Sequence, residues 1–235
     1  MNLKKDIKIE TVVVSLLVSL MTIMLLSLFL HFDTVSSSIG TEILLLNAAT
    51  TQSANAVTSV VTYFRGFDTL GEVTILFLSI FGIGLGLEGY KDKLNIFAYE
   101  NSLLKLAVDV LFPLIILFGF YVIIHGHLSP GGGFQGGVII ASAFLLMFLA
   151  KNDDFSLNHK IMGLVEALSG AGFILIGILG LLIVNRFFDN FLPLGTIGKL
   201  FSGGVIPLIY IFVGMKVSAE ITALVEYFIR IKDAE

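Results

Sequence analysis

LAVDVLFPLIILFGFYVII, residues 106–124, holds a single charged residue, Asp109, in a run otherwise built from apolar side chains. About 20 apolar residues cross the hydrocarbon core of a bilayer, so this stretch reads as a membrane-spanning helix. Working outward, further runs of the same kind lie near 11–30, 69–88, 136–150, 162–184 and 204–228. The run at 136–150 is short and follows a glycine-rich start. Composition agrees: 56% of the residues are apolar and 14% charged, where a soluble domain carries about 25% charged. The mean hydropathy of +0.98 excludes a soluble globular enzyme. Backbone at membrane depth has no water to bond with, so the spans must be helical. The predicted fold is an all-α integral membrane protein with about six transmembrane helices.

Zero cysteines exclude disulfides, thiolate metal sites and iron–sulfur ligation within the chain. A net charge of −4 with scattered basic residues argues against a nucleic-acid partner. Lys4, Lys5 and Lys8 precede the first run in the manner of a signal peptide, but the run is too long and VSSSIG (35–40) is a poor cleavage site, so retention is expected. Ten basic residues fall on one side of the predicted spans (Lys4, Lys5, Lys8, Lys91, Lys93, Lys105, Lys151, Lys160, Arg230 and Lys232). Three, Arg65, Arg186 and Lys199, fall on the other. The positive-inside rule then places both termini in the cytoplasm. EILLLNAA (42–49) is too short to span and is expected as a surface or re-entrant helix.

Ionisable groups within a span are costly unless paired or hydrated, which makes them functional candidates. Three clusters qualify. In RGFDTLGE, Arg65, Asp68 and Glu72 share one helix face, continued by the small residues Ser79, Gly82, Gly86 and Gly89. That face suits a partner helix; a salt bridge pinning the helix end is the plainer reading. In HGHLSPGGGFQGG (125–137), Pro130 and the glycines Gly131, Gly132 and Gly133 are expected to prevent a helix. His125 and His127 would diverge on a helix and form no metal site alone, so they read as part of a tight turn or as proton-responsive groups. In the last two spans, Glu166 lies on the face of Gly163, Gly170 and Gly177, and Lys216 sits mid-span one turn from Glu220. Lys216 and Glu220 are either an ion pair that locks helices or part of a proton or cation relay.

With these residues named, a resemblance is specific. PLIILFGFYVIIHGHLSPGGGFQGGVIIASAF (113–144), MGLVEALSGAGFILIGILG (162–180) and GMKVSAEIT (214–222) resemble the MnhB family, the B-type component of the Mrp-type multisubunit sodium/proton antiporter, over roughly 101–235. NAVTSVVTYFRGFDTLGE (55–72) resembles the carboxy-terminal helices of the antiporter's large A-type component. In membrane-bound hydrogenase relatives that part occurs as a separate small subunit; here it is fused ahead of the B-like part. The resemblance implies a two-helix A-like region at 1–92, a linker at 93–104 and a four-helix MnhB-like domain at 105–235. It carries over Asp68 and Glu72 to the family's acidic motif, Pro130 and Phe134 to its glycine-rich turn, and Lys216 and Glu220 to its last helix.

What the resemblance implies is a non-catalytic subunit of a cation (Na+)/proton antiporter module, alone or within an energy-converting hydrogenase or related respiratory complex. Its partners would be the other Mrp-type subunits (A, C, D, E, F and G-like), hydrogenase or respiratory subunits, and the lipid bilayer of a prokaryotic cell membrane. No cofactor or metal is expected. Two roles stand side by side. Asp68, Glu72, Glu166, Lys216 and Glu220 support a chain that lines part of an ion path. The glycine stripes support a scaffold that conducts nothing. An enzyme is not the reading, since no nucleophile–base or redox-ligand motif appears.

Overall fold

Each long apolar run folds as a helix. The computed structural model describes residues 9–30, 38–87, 102–151, 155 and 157–230. Five described helices are long and apolar enough to cross a membrane: α4 (Gly66–Leu87), α5 (Ser102–Ile124), α6 (Gly133–Lys151), α7 (His159–Val184) and α8 (Ile206–Arg230). α1 (Ile9–Leu30) has 22 residues, about 33 Å at 1.5 Å per residue, the length of a sixth span. The molecule is an all-α membrane protein of roughly six helices. The expected linker at 93–104 lies outside the described residues as far as 101, as do Lys4, Lys5, Lys8, Lys91, Lys93, Lys232 and Gly89.

The chain divides into two compact units, residues 1–42 and 43–235. In the first, the described side chains of α1 are exposed, as an apolar helix requires if lipid or another chain is to cover it. The EILLLNAA stretch forms α2 (Ser38–Thr50), a helix of 13 residues and so too short to span. A single helical turn, α3 (Ala56–Ser59), runs directly into a π-helical segment, Val60–Phe64, before α4 begins. Its start is capped by the Asn55 side chain, which accepts from the N–H groups of Val57 and Thr58.

The glycine-rich stretch is only half a turn. Residues 125–132 are non-helical, but α6 starts at Gly133 and takes in Gly136 and Gly137, so the expectation of no helix through 137 is corrected. The physical reason is packing on two faces. A Cβ on Gly133 would lie 2.6 Å from the Tyr210 carbonyl, and one on Gly137 would lie 2.8 Å from the Gly214 carbonyl, both on α8. A Cβ on Gly136 would lie 2.7 Å from the Gly119 carbonyl on α5. Small residues three and four apart thus let α6 press against α5 and α8 at once. Gly131 and Gly132 need glycine's backbone freedom, with φ of 159° and 143°.

Two apolar clusters hold the second unit together. Phe173, Ile176, Phe188, Val205, Ile209, Val213 and Val217 join α7, α8 and the connection between them, with Val73 of α4 completing the group. Ile123, Ile140, Ile206 and Tyr210 join α5, α6 and α8. The polar connections meet on one end. Asn55 donates through Nδ2 to the carbonyls of Gly126 and Ser129, and Thr58 donates to Gly126. Asn190 bridges the Thr50 carbonyl and the Val205 N–H.

Candidate functional site: a lysine between two carboxylates

The spacing of Lys216 and Glu220 puts both on one face of α8, and there they pair: Nζ lies 2.6 Å from Glu220 Oε1. Packing of α7 brings a second carboxylate, Glu166, whose Oε1 is 3.8 Å from the same ammonium. The lysine stem runs past Gly170, where an added Cβ would sit 3.6–3.7 Å from its last three atoms. Phe77 of α4 adds its ring face, 5.0 Å from Nζ, an attraction of the cation–π type. The side chains of Lys216 and Glu220 are 13% and 1% exposed, and Glu166 is 28% exposed. Lys216 is the one cation that the described residues place within ion-pair range of Glu220. Three ionisable groups, two acids and a base, therefore share one site between α4, α7 and α8.

Glu72 stands apart from this cluster. It lines a groove of about 800 Å³ with Asn55, Thr69, Gln135, Tyr210 and Val213. The expected single charged face through Arg65, Asp68 and Glu72 resolves into two features: Arg65 and Asp68 form an exposed ion pair at 2.5 Å, and Glu72 faces the groove. Pro130, Gly131 and Phe134 form part of the same wall. Val213, which also lines the groove, precedes Lys216 by three residues, about 4.5 Å along the helix. The small residues Ser79, Gly82 and Gly86 are exposed, and a Cβ on either glycine would meet nothing within 4 Å.

The two histidines do different things. His125 stacks on Tyr121 at 4.2 Å between ring centroids. His127 is buried, with Nε2 3.1 Å from the Leu200 carbonyl and its own carbonyl accepting from Ser53 and Asn55. Burial holds its pKa below the ordinary imidazole value, so it is neutral at pH 7 and acts as a clasp between connections. Tyr63 donates to Asp189 Oδ1 at 2.5 Å; burial, then that bond and the carboxylate's charge, push its pKa up to about 12.

Some partners were not visible in the sequence. Phe77 carries no sign that it will meet a lysine. Glu226 did carry one, as an ionisable residue inside the run at 204–228; it is buried and lies 3.8 Å from His159.

The family described as a domain related to the MnhB subunit of the Na+/H+ antiporter matches residues 103–223. The chain belongs to this family. As a member it is a multi-pass membrane subunit of the Na+/H+ antiporter type. It is 30% identical over 192 residues to an uncharacterised protein of Methanocaldococcus jannaschii, covering 70% of this chain and 73% of that one. A Staphylococcus aureus protein named as antiporter subunit mnhB2 is 44% identical over 75 residues, 29% of this chain and about half (53%) of its own length. Among solved structures, a chain of the membrane-bound sulfane sulfur reductase, an archaeal respiratory membrane complex, superposes with a TM-score of 0.71 at 37% identity, covering 91% of this chain and 97% of that chain. A chain of the Mrp complex from Dietzia sp. shares the fold, with a TM-score of 0.68 at 20% identity over 95% of this chain and 26% of that one.

Proposed function

We propose that this MnhB-family chain lines one section of a cation or proton path in a multisubunit membrane complex, with Lys216, Glu220 and Glu166 as its central charged station. The observation that carries the reading is the siting of Lys216: an ammonium held between two carboxylates, one of them 1% exposed. A purely mechanical lock needs one counter-ion. Two acids around one base leave the site with a net negative charge when all three are ionised, and a proton or a Na+ ion can neutralise it. The Glu72 groove, which reaches within a turn of Lys216, supplies an approach from the end that carries the polar connections.

The partners are other subunits of such a complex. The likeness to a chain of an archaeal respiratory membrane complex, matched over nearly its whole length, favours a redox-linked assembly over a stand-alone exchanger. In this reading residues 1–92 are the A-like part and 105–235 the B-like part. Both termini face the cytoplasm, which puts His159 on that side and the Glu72 groove on the other. The competing scaffold role has support in the close glycine-mediated packing of α6.

Glu220→Gln separates the two roles. The whole complex is purified with and without the substitution, and Na+-dependent proton movement is measured in membrane vesicles. Intact assembly with lost ion movement is the expected result. Intact assembly with wild-type ion movement would leave the scaffold role standing.

A further inference from the structure

α4 carries two acids, and only one of them is paired. Asp68 is held by Arg65; the side chain of Glu72 is exposed and makes no ion pair or hydrogen bond among the described residues. Glu72 stands six residues beyond Gly66, about 9 Å into a helix long and apolar enough to cross a membrane. A charge at such depth is costly unless it is paired or hydrated. The groove around it is built like the space between helices of a bundle. α4 packs on α8 through Val73, which joins the apolar cluster of Val213 and Val217. α6 packs on α8 through Gly133 and Gly137, against the Tyr210 and Gly214 carbonyls. Along the groove, α4 presents Glu72, Ile75 and Ser79, and the start of α6 presents Phe134 and Gln135, all of them exposed. Tyr210 and Val213 of α8 line it as well and are buried. A further helix laid along this groove would have its axis about 8–10 Å from those of its neighbours, close enough for a long basic side chain to meet Glu72.

We propose that the groove between α4 and α6 seats a membrane-spanning helix of a partner subunit, and that this helix carries a lysine or arginine that pairs with Glu72. Charge complementarity selects this occupant. The groove is otherwise largely apolar, and an acyl chain would cover its apolar walls while leaving the carboxylate without a counter-charge. Two features of α4 also suit a helix better than a lipid chain. α4 is the least buried of the five described spans. Its surface also stays open past the groove, where a Cβ on Gly82 or Gly86 would meet nothing within 4 Å, which permits close approach of a second backbone. The ion pair would fix the register of the partner on α4, because a shift of one residue along a helix moves a side chain by about 1.5 Å and about 100°. The seated helix would also cover the open side of the groove, so that the approach to Lys216 runs between protein walls. The seat needs the partner subunits of the reading above, and it holds whether or not ions pass.

The test uses the whole complex in its native membrane. Ile75, on the groove, is replaced by photo-leucine, the membranes are irradiated, and the product is mapped by mass spectrometry. Attachment to a membrane-spanning helix of another subunit, within about two turns of a lysine or arginine, is the expected result. Attachment to lipid or to this chain alone, or to a partner helix with no basic residue in that reach, overturns the proposal. The mapped basic residue then allows a charge exchange. Glu72→Lys should lower the partner recovered per copy of this chain by about tenfold or more, and reversing both charges together should restore it. Undiminished recovery with Glu72→Lys, or a double reversal no better than the single ones, overturns the proposal as well. If Glu72→Lys does not accumulate, Glu72→Gln takes its place: recovery should still fall, and unchanged recovery counts against the seat. Subunit recovery is read without ion movement, so the seat and the Lys216 path fail separately. Glu220→Gln, run beside these variants, should keep the partner in full.

Discussion

Replacing Lys216 with methionine removes the ammonium and keeps most of the stem that packs past Gly170. The structure then predicts an asymmetry. With an effective dielectric constant near 20, unit charges at the Lys216–Glu220 separation of 2.6 Å attract by about 6 kcal/mol. The same estimate gives about 4 kcal/mol at the Lys216–Glu166 separation of 3.8 Å. Desolvation opposes these attractions, and breaking a buried pair by removing one partner costs about 3–5 kcal/mol in practice. Lys216→Met should incur that full cost, because Glu220 is left with no other cation in range among the described residues and almost no exposure. Glu220→Gln should cost less, because Lys216 keeps Glu166, the Phe77 ring and its partial exposure. The double variant, Lys216→Met with Glu220→Gln, should recover most of the stability lost in Lys216→Met. Thermal dissociation of the detergent-solubilised complex, read as the temperature at which this subunit is lost, measures all three. Equal losses in the two single variants, or a larger loss in Glu220→Gln, would refute the reasoning.

Acid should loosen the loop clasp at His127. The unfolded chain takes up a proton near pH 6.5, while the folded protein resists until lower pH; the unfolded state binds more protons in between, so stability falls as pH drops below about 6.5. Thermal unfolding at about pH 7.5 and pH 5.5 should show this, and His127→Gln should flatten the difference. Gly133→Ala should destabilise by about 1–3 kcal/mol, since its Cβ meets the Tyr210 carbonyl at 2.6 Å. Gly170→Ala, whose Cβ finds its nearest neighbours at 3.6–3.7 Å, should be near neutral in the same melting assay. Single cysteines at Asn158 and Thr196, in a chain with none of its own, should react with a membrane-impermeant thiol reagent from opposite faces, Asn158 from the cytoplasm. Labelling of both from one face would overturn the assigned orientation.

The positions of the spans could be read from apolar runs alone, because a bilayer imposes a length and a polarity that few other settings demand. The glycine stretch was harder. Glycine permits a turn and permits close helix packing, and the residue type does not say which; Gly132 turns the chain whereas Gly133, Gly136 and Gly137 pack it. The Arg65–Asp68 pair was legible because it is local to one helix start, but the groove that takes Glu72 away from it is made by residues 55, 135, 210 and 213 as well.

By itself, the sequence determined that this is a helical membrane protein, that Lys216 sits within its last span, and that Glu220 lies one turn away on the same face. Helix geometry alone settles that neighbourhood, since residues three and four apart must meet. Only the tertiary structure decided that Glu166 and Phe77 close around Lys216 and that His159 touches Glu226. Those groups lie on different helices, and which faces meet depends on how ridges and small residues interlock across the whole bundle.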